Sequence, residues 1–169
     1  MKTLIISLGM VCALAVVAHG QDVTKATCKL EPKSGSKVAG TITLTKTGND
    51  VQVVGDITGL TPGKHGFHIH EKGDCSAPDA ASAGAHFNPT SKHHGGTTPP
   101  ERHAGDLGNI EADASGKAHI DWKGTMSFSG TDSIIGKSLV VHEKEDDLKT
   151  DPSGNSGARQ ACGVIEAAK

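Results

Sequence analysis

Six histidines and one aspartate recur in short, mostly glycine-bearing motifs: His68 and His70 in GFHIH, His86 in AGAHFNP, His94 in HHGG, His103 and Asp106 in ERHAGDLG, and His142 in LVVHE. Imidazole nitrogen suits copper and zinc, whereas sets of carboxylate and carbonyl oxygens suit calcium or magnesium, so this mixture favours a late first-row metal. In GFHIH, read as a strand, Phe67 and Ile69 face one way and His68 and His70 the other, with Cα atoms of like-facing residues roughly 6.5 to 7 Å apart. Both imidazoles can then converge on one ion. An isolated H-x-H pair is a weak signal. His142, at the end of the apolar run SLVV, would add a nitrogen from a distant segment. The second group is more local: His86, His94, His103 and Asp106 fall within 21 residues on one glycine-rich stretch. Three imidazoles and a carboxylate suit tetrahedral zinc with no position left for substrate, which is the pattern of a structural site. HHGG also offers His93, and spacing alone does not choose between it and His94.

These side chains need a framework. Short runs rich in Val, Ile and Thr alternate with clusters of Gly, Pro, Asp and Asn, the pattern of an antiparallel all-β domain. Strands are expected near 24–31, 38–46, 50–57, 65–71, 107–112, 117–122, 138–143 and 161–166. In TITLT, Ile42 and Leu44 share one face and the threonines the other. Eight such strands suit a Greek-key barrel or sandwich. Two connections are long, about 35 residues from Glu71 to Asp106 and about 18 from Glu143 to Gln160. Loops of that length without elements of their own are commonly functional, and here they carry or flank most of the metal-ligand candidates.

Residues 1–20 begin with Lys2, continue through LIISLGMVCALAVVA and end in small residues, which reads as a secretory signal peptide cleaved near Gly20–Gln21. The apolar run is shorter than the roughly 20 residues of a membrane span, so no stable membrane association is expected. Residues 21–169 then form one domain, and the formal charge of -2 becomes -3 once Lys2 leaves. One Trp, three Phe and no Tyr, with no basic stripe, argue against nucleic-acid binding. The mature chain keeps Cys28, Cys75 and Cys162, for which spacing allows three pairings. Export makes a disulfide permissible. The alternation of Cys28 with Ala26 and Leu30 predicts a buried, inert thiol.

Taken together, ATCKLEP, GFHIHEKGD, SAGAHFNP, HHGG, RHAGDLGN, LVVHEKEDD and ARQACGVI, in this order and with compatible gaps, resemble the copper/zinc superoxide dismutases over nearly all of the mature chain. The resemblance implies a copper site of His68, His70, His86 and His142 and a zinc site of His86, His94, His103 and Asp106, with His86 shared as a bridging imidazolate. It places the ligand of HHGG immediately before Gly95, at His94. It implies a Cys75–Cys162 disulfide, which leaves Cys28 free, and a hydrogen-bonding structural role for His65. His119 is left as an ordinary strand residue. Asp146 is implied as the carboxylate that links a copper-side and a zinc-side histidine, with Asp147 as the adjacent competitor. Arg159 is implied as the cation beside the open copper position, where it would dock a small anion.

The activity implied is disproportionation of superoxide to oxygen and hydrogen peroxide, with copper cycling, zinc structural, and His86 both ligand and proton donor. The alternative is a non-catalytic copper/zinc-binding or storage protein, which would not need Arg159. A copper-delivery protein would add Cys-x-Cys or Cys-x-x-Cys elements, which this sequence lacks, and a copper-only enzyme would lack His94, His103 and Asp106. The loop from His142 to Arg159 is shorter than in the cytosolic eukaryotic enzymes, and Cys75 lies closer to His70. The Cys75 loop form and the signal peptide are reminiscent of exported bacterial-type members and imply a secreted protein, extracellular or periplasmic. Lys144 or Lys149 would supply a positive field, and Ser153 would stand at the channel mouth. The region around Cys75 commonly contributes to the family's dimer interface, so a homodimer is the assembly to test.

Overall fold

The computed structural model describes residues 22–98 and 101–168; the expected leader, 1–20, lies outside them. Eight strands follow in chain order: β1 (Lys25–Pro32), β2 (Ala39–Thr47), β3 (Asp50–Thr58), β4 (Gly63–His70), β5 (Asp106–Ala112), β6 (Ala118–Thr125), β7 (Ser138–His142) and β8 (Arg159–Ala167). All pairings between them are antiparallel, in the spatial order β5-β4-β7-β8-β1-β2-β3-β6. The outermost strands, β5 and β6, are joined by a tight turn in which Asp113 N–H donates to the Lys117 carbonyl at 2.8 Å. Ile110 and Ala112 on one side of that turn and Ala118 and Ile120 on the other enter the same core. The sheet thus curls into a nearly closed eight-stranded barrel, the all-β class expected from the pattern of short apolar runs.

The period-two rule explains which residues fill the barrel. Ala26, Cys28 and Leu30 of β1, Ile42 and Leu44 of β2, and Val51 and Val53 of β3 are buried inside while their neighbours face outward. Cys28 is buried as its alternation predicts, and desolvation pushes its thiol pKa up to about 12. Strand ends differ from the sequence expectation by up to three residues. β6 continues through Trp122 to Thr125 because Val51 pairs with Gly124 and Asp50 with Thr125; backbone pairing, rather than side-chain hydropathy, sets that end.

β4 and β7 depart from one-sided burial. In β4 every residue from His65 to His70 is buried, and in β7 every residue is. Phe67, Ile69, Leu139 and Val141 belong to the barrel core, whereas Val140 joins a second cluster with Ala80, Ala83 and Cys162. The outer faces of these strands are covered by the two long connections. Among its described residues the first holds a single 3-10 turn, Ala81–Ala83, and it is fastened to β8 by the Cys75–Cys162 disulfide, with a Cα–Cα distance of 5.7 Å and 87 residues of separation. In the chain-entropy account a closed loop of that length is worth about 4.5 kcal/mol.

Thiol labelling of the mature chain checks this arrangement. No cysteine should alkylate in the native protein, Cys28 alone should alkylate on unfolding, and all three should after unfolding with reductant.

Candidate metal centre

Two register shifts aim the site. β4 shifts against β5 between Gly66 and His68, and β7 shifts against β8 between Val141 and His142; such bulges turn side chains away from the regular ladder. His68 and His70 leave the outer face of β4, and His142 ends β7 beside them. The chain returns past the same strand end, where His70 and His86 form an isolated antiparallel bridge. One ligand atom from each of His68, His70, His86 and His142 lies within 4.8 Å of the others, and the same holds for His86, His94, His103 and Asp106. All seven residues are buried. His86 is common to both groups.

Hydrogen bonds on the outer side of each ring decide which nitrogen faces inward. His68 Nε2–H donates to Asp146 Oδ2 at 2.8 Å, and His94 Nε2–H donates to Asp146 Oδ1 at 2.8 Å. His70 Nδ1–H donates to the Gly84 carbonyl at 2.9 Å and His142 Nδ1–H to the Gly157 carbonyl at 3.3 Å. A neutral imidazole carries one N–H, so each of these rings, once neutral, turns a lone pair inward. His70 Nε2 and His142 Nε2 face each other at 3.4 Å. Among the described residues four buried ring nitrogens lack a well-formed hydrogen bond: His68 Nδ1, His86 Nε2, His94 Nδ1 and His103 Nδ1. Leaving one buried polar atom unsatisfied costs about 1–3 kcal/mol, and a lone pair aimed at a shared centre is relieved by a Lewis acid. The donor set therefore fits two metal ions, one held by four imidazoles and one by three imidazoles and a carboxylate.

Asp106 is shaped for the second group. Its Oδ2 accepts from His103 N–H at 2.8 Å and Gly95 N–H at 3.1 Å. Its Oδ1 lies 2.8, 3.1 and 3.2 Å from the Nδ1 atoms of His86, His94 and His103. Burial disfavours the carboxylate charge, but these imidazoles more than compensate and hold Asp106 well below the usual carboxylate range. Asp146 is likewise held low, burial being outweighed by His68 and His94. Burial lowers His70 and His142 well below 6.5, and His86 to about 4 despite its bond to Asp106. Burial acts against charge on His94 as well, but Asp106 and Asp146 together push its pKa up to about 9.

The remaining sequence candidates separate clearly. His93 is exposed and bonds Asp151, outside both clusters. His65 is buried and donates from Nδ1 to the His142 carbonyl at 2.9 Å, so it steadies backbone beside the first group. His119 pairs at the surface with Asp56. Asp147 caps a turn by accepting from Thr150 and Asn155, and takes no part in the histidine network. Arg159 pairs in register with His142. Its guanidinium donates to the Ala80 and Gly84 carbonyls, both at 2.7 Å, so the disulfide-anchored loop orients it. His70, His86, His142, Ser153 and Arg159 share the lining of an open cavity of about 600 Å³. Neither Lys144 nor Lys149 lines it.

Sequence reasoning passed over several supports. Asn109 and Asp146 exchange side-chain and backbone hydrogen bonds at 2.8 and 2.9 Å. Asp151 accepts from His94 N–H at 2.6 Å, and Arg102 donates to the Asp106 and His103 carbonyls at 2.7 and 3.1 Å. Arg102 and Asn109 open and close a recognised motif, RHAGDLGN, and could have been flagged; nothing local marks Asp151.

Known proteins match this fold and site. The sequence model of the family described as copper/zinc superoxide dismutase (SODC) matches residues 38–165. The chain belongs to the copper/zinc superoxide dismutase family. It is 49% identical over 143 residues to a copper/zinc superoxide dismutase of Onchocerca volvulus, covering 78% of this chain and 90% of that one. It is also 49% identical over 138 residues to an extracellular superoxide dismutase of Brugia pahangi, covering 76% of this chain and 69% of that one. Among solved structures it is similar to the clock protein EA4, with 42% identity and a TM-score of 0.81 over 90% of this chain and all of that one. The family's reaction, disproportionation of superoxide to oxygen and hydrogen peroxide with copper and zinc as cofactors, is that of this chain.

Two outcomes follow from the electrostatics and packing. A histidine whose folded pKa lies below its unfolded value near 6.5 makes the unfolded state the better proton acceptor in between. The metal-free protein should therefore lose stability as pH falls from about 6.5 to about 4 because of His86, with His70 and His142 adding to it. His94, raised to about 9, contributes stability that is full below about 6.5 and lost as pH rises through 9. Denaturant midpoints measured from pH 4 to 9 on the metal-free protein would show both flanks. Separately, Gly154 has φ +63° and a Cβ there would meet Asp146 Oδ1 at 1.7 Å and His94 Nε2 at 2.7 Å. Gly154→Ala should cost about 2–4 kcal/mol through strain and a broken buried network, and metal retention measured by mass spectrometry should fall with it.

Proposed function

We propose that this is an exported superoxide dismutase in which His68, His70, His86 and His142 hold copper and His86, His94, His103 and Asp106 hold zinc. The observation that carries the assignment is the set of buried, inward ring nitrogens lacking a well-formed hydrogen bond around one shared histidine. Copper, when bound, supplies the one-electron exchange with superoxide, while zinc, with a filled d shell, is confined to holding structure. Two superoxide anions and two protons become one dioxygen and one hydrogen peroxide.

The residues divide the remaining work. Arg159 sits across from His142 on the cavity wall and docks the anion; a full charge at a half-buried site acts more strongly than one in bulk water. His86 Nε2 faces the same cavity and is the atom from which a proton passes to the nascent peroxide. Asp146 fixes the tautomers of His68 and His94 and so couples the two metal sites.

Secretion is supported by the leader-like segment 1–20, by the Cys75–Cys162 disulfide and by the extracellular relative. The substrate is superoxide alone, with no nucleic-acid or stable membrane partner, and a homodimer is the assembly to be read by sedimentation.

The test is expression of the full chain, recovery of the exported product, and stopped-flow measurement of superoxide decay with both metals verified by mass spectrometry. The product should begin at Gln21, and decay should be catalytic and disappear on copper removal. Full metal occupancy without turnover would refute the reading. Arg159→Gln should lower the second-order rate about tenfold at low salt and flatten its ionic-strength dependence. His142→Ala should abolish turnover in a folded protein, and Asp106→Ala should release zinc.

A further inference from the structure

The cavity that holds the copper-side histidines carries two formal charges other than histidine among its described lining residues. They are Arg159 and Asp79, opposite in sign. Lys33, Lys144 and Lys149 are outside this lining. The substrate is an anion, so a carboxylate on the same wall opposes its approach, and its presence needs a reason.

Asp79 is exposed and lies in the short segment before the 3-10 turn. Its Oδ1 accepts from Ala81 N–H at 2.9 Å, closing an Asx turn around Ala80. Ala80 has φ 57°, a left-handed conformation uncommon for alanine, and is fully buried against Val140 and Cys162. Its carbonyl accepts from Arg159 at 2.7 Å. Asp79 thus touches the Arg159 site twice: its turn supports the carbonyl that holds the guanidinium, and its charge acts on that guanidinium through space.

We propose that Asp79 is a selectivity residue of the anion channel, trading approach rate for exclusion of multiply charged anions from Arg159. The proposal rests on the reading of Arg159 as the anion dock. A nearby carboxylate repels an approaching ion in proportion to that ion's charge. It therefore penalises hydrogen phosphate about twice as strongly in energy as the superoxide monoanion. Arg159 alone would be a good phosphate site, since guanidinium matches phosphate oxygens in geometry. With Asp79 beside it, the smaller, singly charged ion loses least.

Charge and turn can be separated by substitution. Asp79→Asn keeps an Oδ1 acceptor for Ala81 N–H and removes the charge; Asp79→Ala removes both. In the metal-loaded protein, Asp79→Asn should raise the second-order rate with superoxide about threefold at low ionic strength and steepen its decline with salt. Inorganic phosphate should inhibit this variant at concentrations about tenfold lower than wild type. Phenylglyoxal modification of Arg159, followed by peptide mass, supplies a readout independent of turnover. Phosphate should protect Arg159 at lower concentration in Asp79→Asn than in wild type.

Wild-type rate, salt slope and phosphate sensitivity in Asp79→Asn, with loss only in Asp79→Ala, would overturn the proposal and leave Asp79 a turn residue. If the wild-type protein binds both metals but does not turn over superoxide, the functional reading fails. The protection experiment would still decide the role of Asp79, with equal phosphate protection of both proteins counting against it.

Discussion

The two buried hydrogen bonds of Asp146, to His68 on a barrel strand and to His94 on a long loop, join parts of the molecule that share little else. Each is 2.8 Å long and closed to solvent. A carboxylate buried away from cations would be strongly disfavoured. Asp146 is tolerable because two imidazole N–H groups and the backbone N–H of Leu148 meet its oxygens. The cost of removing any one of those donors rises with the burial of the rest. That mutual dependence gives the two long connections a fixed position over β4 and β7, where hydrophobic contact adds Phe87 and Ala104 at the barrel core and the small cluster around Val140 and Cys162.

From that constraint the metal sites follow in sequence. With Nε2 of His68 and His94 committed outward to Asp146, their Nδ1 atoms must turn inward, one toward each ligand group. His86 lies between them, with Nδ1 toward Asp106 and its ring shared between the two ligand groups. In the metal-free protein the cluster is a set of opposed lone pairs and a carboxylate that imidazole protons partly neutralise. Metal ions replace those protons, so binding affinity, loop order and acid sensitivity belong to one equilibrium. Long loops with little regular structure can be kept here because their order is shared between ions, a disulfide and one carboxylate.

Much of the barrel was legible because period-two alternation is a local signal. TITLT, or the alternation of Ala26, Cys28 and Leu30, states its buried face within a few residues. The complete burial of β4 from His65 to His70 was not legible in that way, since it depends on loops that return from far along the chain. The residue types of the site could be read from motif composition, but convergence could not: His142 is 72 residues from His70, with their Nε2 atoms 3.4 Å apart. The choice of His94 over His93, and of Asp146 over Asp147, turns on which neighbour faces inward. In each pair the inward residue joins the buried network while the other meets solvent-facing partners. Asp151 was invisible for the same reason, since it acts through the backbone N–H of His94, far away in the chain.

The anion side of the cavity shows a second use of the same loop. The Cys75–Cys162 bond fixes the chain before Ala80, and Ala80 and Gly84 then present carbonyls to Arg159. Two of the guanidinium's donor nitrogens are thus engaged with protein oxygens, which restricts its rotamers and leaves less entropy to be lost when an anion arrives. Arg159 also starts β8 opposite His142, so its backbone is held by the strand ladder while its tip is held by the loop. A reductant that opened the disulfide would loosen the tip and leave the ladder intact. Under the docking role proposed for Arg159, anion binding would therefore weaken before the barrel did, because the carbonyls that aim the charge lie in the segment that the disulfide tethers.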